Sequence, residues 1–366
     1  MEQKPARLRS LDALRGFDML WIIGLDSVFH ALAKATDNSF FHLMSEQLHH
    51  VPWEGLRLYD LIFPLFMFPS GVSIPFALTS RMNRGWSRRQ ILLFIARRAF
   101  ILVFLGMVYN GLLDLRFDTL RVASVIGQIG LAYGIAATVW YLIQNVKLRA
   151  AVLAGILILV AVLQLMIPVP GFGVGVLTPE GIFNSWLDRT ILPGRLHAGV
   201  YDPEGLLCIF SSAALTLAGT FAGQVLRAAP APRVRTLYWF AGAGVVSILL
   251  GAACQALGYP PIKSAWTTTF NFYAGGISLL LLAFFHGVVD FPKRNWSFPL
   301  QVVGMNPLTI YLLTRIVAFE PVAEFFAGGV ARLSGAFGPV VLAVALLIVE
   351  WLVLWFLYRK KVFLRI

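Results

Sequence analysis

The chain is poor in charge, poorer still in acid, and almost without cysteine. Only 13% of its 366 residues are charged against 58% hydrophobic, which is too little polar surface to cover a soluble globule of this size and points instead to a bilayer. The two cysteines, Cys208 and Cys254, fall in apolar stretches with no CxxC or Cys/His spacing nearby, so they read as small packing residues, and no metal centre is expected. Acids number 18 and bases 30. In a soluble chain that excess would suggest nucleic acid, but here the bases lie between apolar runs rather than among exposed aromatics, which is the positive-inside pattern and needs no nucleic-acid partner. Internal repeats, heptads and low-complexity tracts are likewise missing, so residues 1–366 read as a single membrane domain. Gly171, Gly173 and Gly175 follow no strand-like run, which excludes a dinucleotide fingerprint.

What the sequence has in quantity is apolar runs about 20 residues long, the length that crosses a bilayer as a helix. These are expected at 14–33, 58–79, 91–109, 122–143, 150–167, 206–226, 237–257, 266–289, 300–317 and 339–358. The first run follows Lys4, Arg7 and Arg9 and carries Asp18 and Asp26 inside it, so it reads as a retained helix rather than a cleaved signal. The expected fold is an all-α polytopic membrane protein of about ten transmembrane helices. Most of the 30 basic residues then fall in alternate loops, among them Arg81, Arg84, Arg88 and Arg89, Lys147, Arg233 and Arg235, Lys293 and Arg294, and Arg359 to Arg365. That bias predicts that both termini are cytoplasmic. Segments 34–57 and 168–205 become long outer loops, where function concentrates.

Several polar residues stand where chemistry is expected. An ionised carboxylate costs about 2.5–3.5 kcal/mol at the bilayer centre, so Asp18 and Asp26 should face protein. Asp26 and His30 share one helix face four residues apart, as a carboxylate–imidazole pair or a tether for the helix end. His49 and His50 precede Trp53 and Glu54 where the chain re-enters the membrane through Asp60, and a histidine there can serve as a general base or merely be solvated. Asp202 and Glu204 precede a helix that they could cap, or they could bind sugar hydroxyls or an ammonium group. Asn306, beside Pro307 in an apolar run, could hold helices together or donate to an oxyanion.

At these residues the sequence resembles the transmembrane acetyltransferase family of heparan-α-glucosaminide N-acetyltransferase and its bacterial relatives. The stretches that carry the resemblance are RLRSLDALRG, HVPWEGLRLYDLIFPLFMF, RVASVIGQIGLAY, residues 168–181, YDPEGLL, GMNPLTIY and LYRKKVFLRI, in order from Arg7 to the last residue. The resemblance places the family's catalytic histidine at His50, directly before Val51-Pro52-Trp53, and puts Asp26 where the family has an asparagine. The chain opens close to the matching Arg7 segment, so the family's luminal domain is expected to be missing and a small amino sugar is expected as acceptor in preference to a long glycan.

The resemblance implies acetyl-CoA as co-substrate and transfer to the amino group of glucosamine or a terminal glucosaminide on the periplasmic side of a bacterial inner membrane. His50 is then the base, with Asp26 and Asn306 assisting. Trp53, Glu54, Asp60, Asp202 and Glu204 are the candidate sugar-binding residues. Arg15, Arg97, Arg98 and Arg121 are the candidates for the CoA phosphates. Partners are the bilayer and, by analogy, a second copy of the chain. Two readings stay open beside it: a proton-coupled sugar or amino-sugar transporter using Asp18, Asp26 and Asp60, and an acyltransferase acting on a surface glycan.

Overall fold

The computed structural model describes residues 8–229, 232–292 and 295–364. Lys4, Arg7, Lys293, Arg294 and Arg365, counted above in the charge bias, lie outside the described residues. Fifteen α-helices follow one another among the described residues. The first five are α1 (Arg9–Leu20), α2 (Asp26–Ala35), α3 (Ser39–Gln47), α4 (Ile62–Asn83) and α5 (Arg88–Tyr109). Then come α6 (Val125–Leu142), α7 (Val146–Leu165), α8 (Phe183–Ile191), α9 (Leu206–Ala228) and α10 (Val234–Ala256). The last five are α11 (Thr268–Phe285), α12 (Phe298–Gly304), α13 (Pro307–Ile316), α14 (Glu320–Leu333) and α15 (Gly338–Arg359). No strand occurs among the described residues, where only isolated bridges pair Arg121 with Gly194 and Val169 with Gly173.

Nine helical stretches among the described residues are long and apolar enough to cross a membrane. Eight of them coincide with expected runs from 58–79 to 266–289 and with 339–358, and the ninth is the N-terminal stretch Arg9–Ala35. The sequence expectation needs two corrections. The first run is not one regular helix: α1 and α2 are joined by a π-helical turn, Trp21–Leu25, in which Gly24 has φ 123°. Only glycine reaches that value cheaply, and such turns re-aim the residues that follow. The expected helix 300–317 is broken in two: Asn306 leaves the helical region (φ −132°, ψ 42°) and Pro307, which has no N–H to donate, starts α13. The further helix α14, not expected from the sequence, packs along α15.

The chain forms two compact units. The first comprises residues up to 51, residues 57–62 and everything from 284 onward. Its inner seam is α1 against α12, where a Cβ on Gly16 would come 1.8 Å from the Leu300 carbonyl oxygen and one on Gly304 would come 1.8 Å from that of Asp12. Backbone approach this close is the small-residue packing of membrane helices. Arg9 donates to the Val289 carbonyl at 3.1 Å, and the Ser10 amide and hydroxyl donate to Asp290 at 3.1 and 2.5 Å. These bonds pin the start of α1 to the chain following α11. At the other end α2 packs on α3 and on the start of α15.

The second unit comprises residues 52–56 and 63–283. Its core packs α5 and α9 on α6, with Ile74, Leu78, Ile91, Ile95, Tyr133 and Trp140 buried together. Its loops between α7 and α9 carry α8 and the acidic residues described below.

Candidate active site

His50 stands three residues beyond the end of α3, on a turn anchored by buried Leu48. Its Nδ1 lies 2.8 Å from Oδ1 of Asp60, a residue with no solvent exposure at all. Asp60 is placed by a short 3-10 turn, Leu58–Leu61, at whose start the Arg57 amide donates to Asp60 Oδ2 at 3.0 Å. The Val51 amide reaches the same oxygen at 3.4 Å. An ionised carboxylate only accepts, so the imidazole donates through Nδ1–H and its basic lone pair is on Nε2. The His50 side chain is 51% exposed. This is the base–orienter geometry of a general acid–base site.

Two further groups complete this end of the first unit. Tyr59 packs its ring 4.7 Å from that of His50, and its phenol is close enough to the Asp26 carboxylate to interact with its charge. Asp26, the first residue after the π-helical turn, also accepts from the Ser27 amide at 2.8 Å. Four residues on, His30 has its Nδ1 2.8 Å from the Ser45 hydroxyl, while His49 Nδ1 donates to the Ser45 carbonyl at 2.6 Å. The His30 and His49 rings are 4.4 Å apart. The structure thus brings together His50, Asp60 and Asp26, and adds Tyr59 and Ser45, neither of which was singled out in the sequence. Asp60 enters as the partner of the imidazole rather than as a sugar ligand.

Asn306 is not brought to His50. Its Nδ2 donates to the Val362 carbonyl at 2.9 Å and its Oδ1 accepts from the Leu364 amide at 3.3 Å, so it clamps the chain that follows α15. The His50 end packs instead at the start of α15, a helix of 22 residues, or about 33 Å at 1.5 Å per residue. An oxyanion role for Asn306 is therefore replaced by a structural one.

In the second unit Arg121 gathers the acids of the YDPEGLL stretch. Its Nε and one terminal nitrogen bind Asp202 at 2.8 and 2.6 Å, and that nitrogen also binds Glu204. Asp202 additionally accepts from the amides of His197 and Glu204, each at 3.0 Å, and is buried. Burial disfavours the Arg121 charge, but the hydrogen bonds it donates to Asp202 and the charges of the two carboxylates outweigh it and hold the guanidinium above its ordinary range. Burial pushes the Glu204 carboxyl up, with Arg121 opposing. His197 is pulled below the usual imidazole range by burial and then by the charge of Arg121. Asp202 and Glu204 thus meet a protein cation, and the cap of α9 is a different acid: Asp188 Oδ1 accepts from the Leu206 amide at 2.9 Å. Burial pushes the Asp188 carboxyl up to about 7 against that hydrogen bond. Its neighbour is Gly205, where a Cβ would fall 1.8 Å from Asp188 Oδ2.

Trp53 belongs to this unit, its indole N–H donating to the Leu177 carbonyl at 2.7 Å and its ring 4.9 Å from that of Tyr201, while Glu54 beside it is exposed. Of the basic candidates, Arg15 lies 3.8 Å from Asp12, Arg97 is exposed, and Arg98 sits 4.2 Å over the Tyr133 ring. Asp18 is fully buried, and neither of its carboxylate oxygens has a hydrogen-bond partner among the described residues.

No protein-family model matches the chain. Two curated proteins align with most of it. Heparan-alpha-glucosaminide N-acetyltransferase of Homo sapiens is 26% identical over 361 residues, covering 84% of this chain and 52% of that protein. The Mus musculus protein of the same name is 26% identical over 316 residues, covering 72% of this chain and 48% of its own length. The chain is therefore related, over most of its length, to proteins named as N-acetyltransferases, and its apolar helices make it a multi-pass membrane protein. It spans about half the length of the curated relatives it matches.

Proposed function

We propose that the protein is a transmembrane N-acetyltransferase that moves the acetyl group of acetyl-CoA to the amino group of glucosamine or a terminal glucosaminide. The observation that carries this reading is the His50–Asp60 pair, because a buried carboxylate fixes the tautomer that leaves Nε2 basic beside an exposed face. Kinship with named N-acetyltransferases supplies the reaction class.

In this reading the amine attacks the thioester carbonyl, the C–N bond forms and the C–S bond breaks. His50 Nε2 takes an N–H proton from the attacking nitrogen and returns it to the departing sulfur. Asp60 stabilises the imidazolium in between, as an orienting carboxylate does. Trp53 and Glu54, which follow His50 closely in the sequence, are the residues assigned to the sugar. Arg15, Arg97 and Arg98 are the cations assigned to the CoA phosphates, Arg121 being engaged by Asp202 and Glu204.

The topology that goes with it has ten crossings, with both termini on the cytoplasmic side of a bacterial inner membrane. The nine apolar stretches supply nine, and the interrupted segment α12–α14 the tenth. Discontinuous helices of this kind occur where a membrane protein lines a site or cavity.

The test is acetyl transfer by purified protein in lipid nanodiscs, supplied with isotopically labelled acetyl-CoA and glucosamine and read by mass spectrometry. Labelled N-acetylglucosamine from the wild type and none from His50→Ala, at equal CoA binding, is the expected result. Uptake of the sugar driven by a proton gradient with no labelled product would replace this reading with the transporter.

A further inference from the structure

An amino sugar reaches the site largely as an ammonium ion, so two protons, not one, must leave its nitrogen before the amide is complete. His50 accounts for the proton that passes from the attacking amine to the CoA sulfur. The other has to be removed beforehand, because an ammonium has no lone pair with which to attack, and it ends in bulk water as a net product. That second proton needs a different acceptor.

The outer end of the first unit holds one. Asp26 and His30 share a face of α2, close enough to interact as charges. The His30 and His49 rings lie 4.4 Å apart, and both are tied to Ser45, one through its hydroxyl and one through its carbonyl. Because His49 donates Nδ1–H to a carbonyl, its Nε2 carries the lone pair. Two imidazolium charges this close repel, so a proton on one ring disfavours a proton on the other. His49 is exposed, which lets that proton leave to water. Tyr59 lies between this group and the first one, its ring against that of His50 and its phenol within the influence of the Asp26 charge.

Resting on the acetyltransferase reading, we propose that Asp26 and the His30–His49 imidazole pair form a second proton-accepting station, separate from His50, which receives the acceptor as an ammonium ion and removes its first proton. The balance is R–NH3+ plus the neutral imidazole pair giving R–NH2 plus its singly protonated form, followed by attack on the thioester. Lys34 on α2 is the other charged group that bears on His30, and α3, which packs on α2, also carries His42 and Glu46. Glu46 is bound by Arg57 at 3.0 Å. Gly335–Phe337 and α15, which pack on α2, carry Glu350 as their first titratable side chain.

The test is the pH profile of kcat/KM for glucosamine in wild type, His30→Gln and His49→Gln, all in nanodiscs. In the wild type, turnover should persist below the pKa of the sugar amine. In both variants the acid limb should move up to that pKa, with a loss of at least about tenfold near pH 6 that narrows as pH rises. Ser45→Ala, which keeps both rings and removes only the hydroxyl holding His30, should shift the same limb part of the way and guards against a variant that misfolds. An evenly lowered curve at all pH, or an acid limb that does not move, overturns the proposal. So does a wild-type limb already at the amine pKa. His50→Ala should lower the whole profile, and a wild type that transfers no acetyl group at any pH refutes the acetyltransferase reading instead.

Discussion

Replacing Asp60 by asparagine keeps its size and changes one bond in a way the surroundings dictate. Oδ2 of Asp60 accepts from two backbone amides, Arg57 at 3.0 Å and Val51 at 3.4 Å, while Oδ1 faces His50 Nδ1 at 2.8 Å. Asparagine has one acceptor oxygen and one donor nitrogen. Turning its nitrogen toward the two amides would set donors against donors in a fully buried position, at about 1–3 kcal/mol for each group left unsatisfied. The oxygen therefore stays with the amides and the nitrogen points at His50 Nδ1, which must become the acceptor. The imidazole hydrogen moves to Nε2, the nitrogen that has to be basic. A general base contributes about 10²–10⁴ in rate, so Asp60→Asn should lower kcat for acetyl transfer by about 10²–10³, some 3–4 kcal/mol in the barrier, with KM for acetyl-CoA little altered. The assay is single-turnover formation of labelled N-acetylglucosamine, with thermal unfolding in detergent as the control for folding. Turnover within threefold of wild type would refute both the tautomer argument and the role of His50 that depends on it.

The remaining predictions concern packing and the charge of a buried loop carboxyl. Gly304→Ala places a Cβ 1.8 Å from the Asp12 carbonyl oxygen and 2.7 Å from the Gly16 amide, so α1 and α12 must part, and the thermal unfolding midpoint should fall by the equivalent of about 1–3 kcal/mol or more; an unchanged midpoint would mean the seam is loose. Asp188 has its folded carboxyl raised to about 7 from an ordinary 3.8, so the unfolded chain loses its proton first and stability falls as pH rises from about 4 to about 7, by at most about 4 kcal/mol. Asp188→Asn, which keeps an acceptor for the Leu206 amide, should flatten that slope; a slope as steep as wild type would show that another group carries it.

Which parts of this were legible in the sequence follows from how local each cause is. Apolar runs announce themselves because crossing a bilayer constrains about 20 consecutive residues. The π-helical turn at Trp21–Leu25 leaves one ordinary glycine as its trace, and Gly24 in an apolar run looks like any other. Gly304-Met305-Asn306-Pro307 did signal an interruption, but not that the amide would spend itself on a chain more than fifty residues later. His50 was legible through its motif. Asp60 was visible only as an acid near a helix start, since the bond that matters spans a turn whose closure depends on Arg57 and Val51 amides. Arg121 and Asp202 are 81 residues apart, and no local pattern links a base in one loop to acids in another. Read in isolation, those acids looked available to a sugar.

Asp26 is the residue at which this chain departs from the asparagine implied by the resemblance, and the substitution Asp26→Asn isolates what its charge does. The fold should tolerate it, because the amide oxygen can still accept from the Ser27 amide and the site is partly open to water. What disappears is the attraction for a cation. A unit charge pair at about 4 Å ranges from about 1 kcal/mol in water to about 4 at an effective dielectric of 20; for a solvent-reached carboxylate the lower figure applies, or about fivefold in KM. The loss should be confined to pH values at which the sugar is an ammonium ion and should vanish once the acceptor is neutral, since a neutral amine gains nothing from the charge. A structural role would instead raise KM equally at every pH. Measuring KM for glucosamine in Asp26→Asn on both sides of the amine pKa therefore separates ammonium recognition from scaffolding, and an equal effect on the two sides would remove Asp26 from the acceptor site.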